Sequence, residues 1–190
     1  RRSSDLYVPE AIRRAIRAGV KSIEHGQLID EPTMKLIAEK GVWLSMQPFI
    51  GEGNNHYTNP VQQAKHELVV QGTDRAYQLA KKYGVKLAWG TDLLFSPANA
   101  RNQNLNIEKM TRWFSNFEIL KMITHDNAEL LALSGRRNPY PGKLGVIEEG
   151  ALADLIVVDG NALEDIKVLT DPGKHMLMIM KDGKIYKNDL

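Results

Sequence analysis

Two triplets in this chain carry residues whose types suit chemistry: Glu24-His25-Gly26 and Gly90-Thr91-Asp92. Each closes a short β-like run and precedes a loop. Val20-Lys21-Ser22-Ile23 leads into His25, and Val85-Lys86-Leu87-Ala88-Trp89 leads into Asp92. A third run, Val42-Trp43-Leu44-Ser45-Met46, lies between them with helical sequence on either side. In a parallel sheet with helical crossovers all strands point one way, so their ends share a face. A histidine and an aspartate at two such ends can converge on one site. Neutral imidazole and carboxylate are both good ligands for zinc-like ions, so the chemistry suggested is that of a divalent metal.

The elements that must position these residues read as a β/α repeat. Pro9 belongs to a first helical turn, and Ala11, Ile12, Ala15 and Ile16 form an apolar stripe at helical spacing. Gly19 ends that helix and a strand is expected over 20–25. Asp30-Glu31-Pro32 opens a second helix that runs to Lys40 and stops at Gly41, and a strand over 42–47 follows. Residues 48–60, rich in Pro, Gly and Asn, read as a long loop. A helix is expected over 61–83, interrupted at Gly72, and a strand over 85–91. Beyond a further loop come helices near 107–113, 117–124 and 127–133. The character changes at Asn138-Pro139-Tyr140-Pro141-Gly142, after which the apolar runs 155–158 and 176–180 and the turn signals Asp159-Gly160 and Asp182-Gly183 indicate β-structure. Two domains are therefore expected, 1–138 and 139–190. Three strands cannot close a barrel, and an open three-stranded parallel sheet leaves both edges bare.

Composition narrows the function classes. Hydrophobic residues make up 43% of the 190 and charged residues 25%, values ordinary for a globular protein. A formal charge of +2 without a long basic run points away from nucleic acid. The absence of cysteine removes disulfides and thiolate ligands and fits a cytoplasmic location. No run approaches the roughly 18 apolar residues of a membrane helix, and Arg1-Arg2-Ser3-Ser4-Asp5 does not open a signal peptide.

Four stretches together resemble the metal-dependent amidohydrolase superfamily, in its prolidase-like or imidazolonepropionase-like branch. They are residues 9–26, ending Ser-Ile-Glu-His-Gly; Leu-Ala-Trp-Gly-Thr-Asp at 87–92; Asp-Asn-Ala-Glu-Leu-Leu at 126–131; and Pro141 to Leu155, which resembles the family's closing hairpin. The resemblance implies an α/β chain forming the carboxyl-terminal part of a (β/α)8 TIM-like barrel, its last three strand units, followed by part of a small β-sandwich. It implies that His25 matches the sixth-strand metal ligand and Asp92 the eighth-strand aspartate, a metal ligand that also serves as general base. It places Tyr7 in a segment that usually reads His-x-Tyr, with Asp5 standing where the histidine should be. The family's His-x-His pair and bridging lysine or glutamate would lie upstream of Arg1. The implied cofactor is a divalent metal, zinc by preference, with one or two ions in the complete enzyme.

Expected partners are a small-molecule amide or dipeptide substrate and the missing amino-terminal barrel half, with neither nucleic acid nor membrane. The alternatives are a cyclic-amide hydrolase or deaminase of the same superfamily, or an inert fragment whose open sheet edges pair with another copy. The remaining histidines carry weaker signals. His56 and His66 read as surface residues, His125 as preceding or capping a helix, and His175 as opening an edge strand. Trp43 and Trp89 read as packing. Met176, Met178 and Met180 alternate at strand period, as one buried face would require.

Overall fold

The structure is a computed structural model that describes residues 3–51, 57–93 and 97–190, with the side chains of 3–5 and 98–99 excepted. It divides into two compact units, Arg1–Gly90 and Thr91–Leu190. The first unit alternates strand and helix: β1 (Ser3–Leu6), α1 (Pro9–Arg17), β2 (Ser22–His25), α2 (Glu31–Lys40), β3 (Trp43–Met46), α3 (Pro60–Tyr83) and β4 (Leu87–Trp89). The strands pair in the order β1-β2-β3-β4, every pair parallel. The expectation of three strand units is corrected to four. Ser3-Ser4-Asp5-Leu6 holds a single apolar residue and shows no strand periodicity. What makes it a strand is pairing with β2, which sets Leu6 beside His25.

Helix boundaries follow local chemistry. Asp30 accepts from the Thr33 amide at 2.9 Å and Asn59 from the Val61 amide at 2.9 Å, while Gly41 and Gly84 end α2 and α3 in left-handed backbone. All four residues of β3 are buried, as expected of an inner strand covered on both faces. Ile12, Ile23, Met34, Ile37, Leu44 and Tyr77 form the heart of the core. The interruption expected at Gly72 does not occur, because α3 is continuous through it. The glycine answers a different demand: a Cβ there would stand 2.3 Å from the carbonyl oxygen of Gln27.

The second unit begins with helices α4 (Pro97–Ala100) and α5 (Leu105–Lys109), the latter extended by a tighter turn at Met110–Arg112. A capping box of Ser115 and Glu118 starts α6 (Asn116–Lys121). The helices expected at 117–124 and 127–133 are joined, because a π-turn at Met122–Asp126 carries α6 into α7 (Asn127–Ala132). His125 therefore lies inside a helical run and does not cap one.

The tail forms an antiparallel sheet of β5 (Leu155–Val158), β6 (Met176–Lys181) and β7 (Lys184–Asn188), in that order. Asp182 and Gly183, at φ 50° and 71°, turn β6 into β7 as a tight hairpin requires. Asp159-Gly160 opens an excursion containing a 3₁₀ turn at Ile166–Leu169 and helix α8 (Pro172–His175). His175 thus ends a short helix, and the strand after it is central, not an edge. Met176, Met178 and Met180 are half-buried, and so are Leu177 and Ile179, so β6 has no single buried face. Residues 143 and 151 meet in one isolated bridge, where a closing hairpin was expected. The tail is anchored to the helices of its own unit. Asn104 Nδ2 donates to the Leu169 carbonyl at 2.8 Å, Asn116 Nδ2 to that of Leu163 at 3.1 Å, and Lys167 pairs with Glu108 at 3.1 Å. No described helix is long and apolar enough to cross a membrane.

Candidate active site

His25 is the last residue of β2, and its backbone is left-handed at φ 75°, followed by Gly26 at φ 79°. A β-strand that ends in two such residues turns sharply out of the sheet. At a non-glycine residue this conformation costs of order 1–3 kcal/mol, and it clusters where function holds it. The turn needs Gly26, since a Cβ there would come within 2.7 Å of Leu44 Cδ1. Tyr7 directly follows β1, and its ring stacks on the His25 imidazole with centroids 4.6 Å apart and planes 13° from parallel. Two residues singled out from the sequence are thereby brought together.

A third residue at this rim was not foreseen. Gln47 directly follows β3, and its Oε1 lies 2.8 Å from His25 Nδ1. The same oxygen accepts from Gln27 Nε2 at 3.3 Å. As the Nδ1–H tautomer the ring can donate to this oxygen, which leaves the lone pair on Nε2. Both glutamines are core residues, Gln27 at 1% exposure and Gln47 at 5%. The signal that could have found Gln47 is positional: a polar residue directly after the largely apolar strand β3 lies on the same rim as His25. The open Cα face of Gly90, at the end of β4, also borders the Gln47 amide, since a Cβ there would lie 3.9 Å from its Nε2.

Asp92 lies three residues beyond β4, in the second unit, with an exposed side chain and left-handed backbone at φ 54°. His25 and Tyr7 belong to the first unit. The backbone of Asp5 lies in β1 opposite Glu24, and its side chain is outside the described residues, as is His56. His66 meets Tyr57 in a tilted ring contact at 5.4 Å. Trp43 is buried beneath the Lys86 ammonium, in keeping with a packing role.

Among the described residues, one group of three donor side chains comes together closely enough for an ion: His125, Asp126 and Glu129, with ligand atoms within 4.8 Å of one another. Its central oxygen is already engaged. Asp126 Oδ1 accepts from Lys121 Nζ and lies 2.8 Å from His125 Nδ1. A lysine ammonium on the shared carboxylate supplies the positive charge that an ion would otherwise bring, so this group reads as a helix-surface ion-pair cluster.

Residues 8–186 match the amidohydrolase family. Over 189 residues the chain is 32% identical to ochratoxinase of Aspergillus niger, covering 97% of this chain and 38% of that enzyme. A crystal structure of an amidohydrolase superposes with a TM-score of 0.85 at 34% identity, over 99% of this chain and 45% of the other. A prolidase crystallised with N-methylphosphonate-L-proline superposes at 0.84 and 32% identity, over 98% and 45%. The chain thus spans less than half the length of the relatives it resembles.

Proposed function

This chain belongs to the amidohydrolase family, and we propose that the full-length protein hydrolyses an amide-type C–N bond in a dipeptide or an N-acyl amino acid. The likeness to a prolidase favours the dipeptide. In this reading the parallel sheet is part of a (β/α)8 barrel whose other strands lie in residues beyond this chain, and the β5-β6-β7 sheet is part of a small β-sandwich. The observation that carries the proposal is His25. It closes a parallel strand in strained left-handed backbone, with Nδ1 engaged by Gln47 and the ring held against Tyr7.

That donor set fits a divalent cation. A neutral imidazole and a carboxylate are both ligands that zinc accepts. His25 and Asp92 would hold it, together with donors supplied by the rest of the enzyme. When bound, such an ion lowers the pKa of water toward neutrality and polarises the scissile carbonyl. Asp92 accepts the proton of the attacking water at a carboxylate oxygen and delivers it to the departing amine nitrogen. A carboxylate suits both steps, since it stays ionised near neutrality yet can take a proton as attack proceeds. Tyr7, stacked on the ligand ring, borders the substrate.

The test is a pair of substitutions in the full-length enzyme. Asp92→Asn keeps size and removes proton acceptance, so turnover should fall by about 10²–10⁴, plus whatever the lost ligand charge costs, with the fold intact. His25→Ala should lower metal content and activity together. Near-normal turnover and full metal occupancy in Asp92→Asn would reduce Gly90-Thr91-Asp92 to an ordinary turn.

A further inference from the structure

We infer that Gln47, itself held by Gln27, is a positioning residue that fixes the His25 imidazole as its Nδ1–H tautomer and so presents the Nε2 lone pair. The inference rests on the proposed ligand role of His25, and it concerns residues that role does not name. Gln47 Oε1 accepts from Gln27 Nε2–H at 3.3 Å and lies 2.8 Å from His25 Nδ1, so an Nδ1–H donor would use the second lone pair of the amide oxygen. Neutral histidine in water favours the opposite tautomer, with the proton on Nε2. A ring left to itself would therefore offer the wrong nitrogen to an ion.

The surroundings make the arrangement rigid. Gln47 and Gln27 are both buried, so neither amide can trade its partner for bulk water. Tyr7 stacks on the imidazole at 4.6 Å and fixes its plane. The loop bearing Gln27 is pressed against α3 at Gly72, where a Cβ would stand 2.3 Å from the Gln27 carbonyl oxygen. The ring proton is thus set by a chain of contacts that runs from the long helix through Gln27 and Gln47 to His25. Turning both amides over defines the competing arrangement. Gln47 would then donate to Nδ1 and to Gln27 Oε1, an atom with no partner among the described residues, and the ring proton would move to Nε2.

Nitrogen-15 NMR of the metal-free full-length protein separates the two. At pH 9, where imidazoles are neutral, His25 should show a pyrrole-type shift at Nδ1 and a pyridine-type shift at Nε2, its signals assigned by their loss in His25→Ala. Gln47→Leu should move the ring toward the Nε2–H form. Gln47→Glu, whose carboxylate can only accept, should keep Nδ1–H. In the full-length protein, Gln47→Leu should weaken zinc binding by about 10–100-fold, the usual effect of losing such a support, and Gln47→Glu should retain it. An Nε2–H tautomer in the unsubstituted protein overturns the inference, as does a tautomer that ignores Gln47→Leu. The ligand reading fails separately, if His25→Ala leaves the zinc content of the full-length protein unchanged. The tautomer measurement would stand in that case, because it needs no metal.

Discussion

Three non-glycine residues among those described hold left-handed backbone: His25, Asp92 and Asp182. Asp182 is explained by its hairpin, where that conformation is required. The other two close strands β2 and β4 in the first case directly and in the second after a short loop, and they are the residues whose types suggested chemistry. A cost of order 1–3 kcal/mol at each is more readily retained at a working site than at an ordinary turn. Another residue-scale feature can be tested through pH. Glu31, at the start of α2, accepts from Lys82 at 2.7 Å and from the Tyr83 hydroxyl, both on α3. The Lys82 and Tyr83 hydrogen bonds hold its carboxyl down at about 2, from an ordinary 4.5. A depressed folded-state value means stability present above pH 4.5 and lost as pH falls toward 2. Urea denaturation of Glu31→Gln and the parent should therefore differ by a constant amount above pH 4.5, and the gap should close as pH drops through that window. A gap that persists unchanged at pH 2 would show that the contact does not depend on the carboxylate charge.

At the scale of elements, the strand–helix alternation around β2, β3 and β4 was legible because short β-like runs, each opening on Val20, Val42 or Val85, directly follow helical stripes that end in Gly19, Gly41 and Gly84. β1 was not, since its four residues carry no pattern and are ordered by their neighbour. Gly72 was misread for a related reason. From sequence, a glycine inside a helix signals a break, while its actual cause is a loop some 45 positions earlier packing against the helix. Gln47 and Gln27 stayed silent because a lone glutamine has no motif, and their meaning comes only from the 2.8 and 3.3 Å contacts that join them to His25. The π-turn between α6 and α7 likewise leaves no trace in spacing. Gly72→Ala makes the element-scale point measurable. Helix propensity alone would make alanine better by about 1 kcal/mol. Its Cβ at 2.3 Å from backbone oxygen should override that gain and destabilise the chain by about 1–3 kcal/mol, read as a lower urea midpoint. A midpoint that rises would mean the loop at Gln27 yields easily, and would loosen the link from α3 to the His25 rim.

At the scale of the whole chain, the break in composition at residues 138–142 falls inside the second compact unit, and the tail is tied to α5 and α6 by Asn104, Asn116 and the Lys167–Glu108 pair. Gly145 adds a further join, since a Cβ there would lie 2.6 Å from the Thr124 carbonyl oxygen in the π-turn. A three-stranded sheet with half-buried faces is marginal alone. Limited proteolysis should consequently leave residues 139–190 attached to the helices. Release of a stable 1–138 core with rapid loss of the tail would argue against this docking.

Metal affinity is also a property of the whole molecule. A catalytic zinc site takes three protein ligands and keeps a position open. In the proposed reading His25 and Asp92 supply two of these ligands, and among the described residues neither belongs to a group of three assembled donors. The 190-residue chain should therefore bind zinc weakly in equilibrium dialysis, while the full-length protein binds it tightly. His125, Asp126 and Glu129 are the obvious competitor, and the Lys121 ammonium on Asp126 should keep an ion away from them. Stoichiometric, tight zinc on the isolated chain would defeat this expectation, and two substitutions would say how. Loss of that zinc in His125→Ala would move the metal to the helical cluster. Its loss in His25→Ala would show that the β2 rim finds its third ligand within this chain.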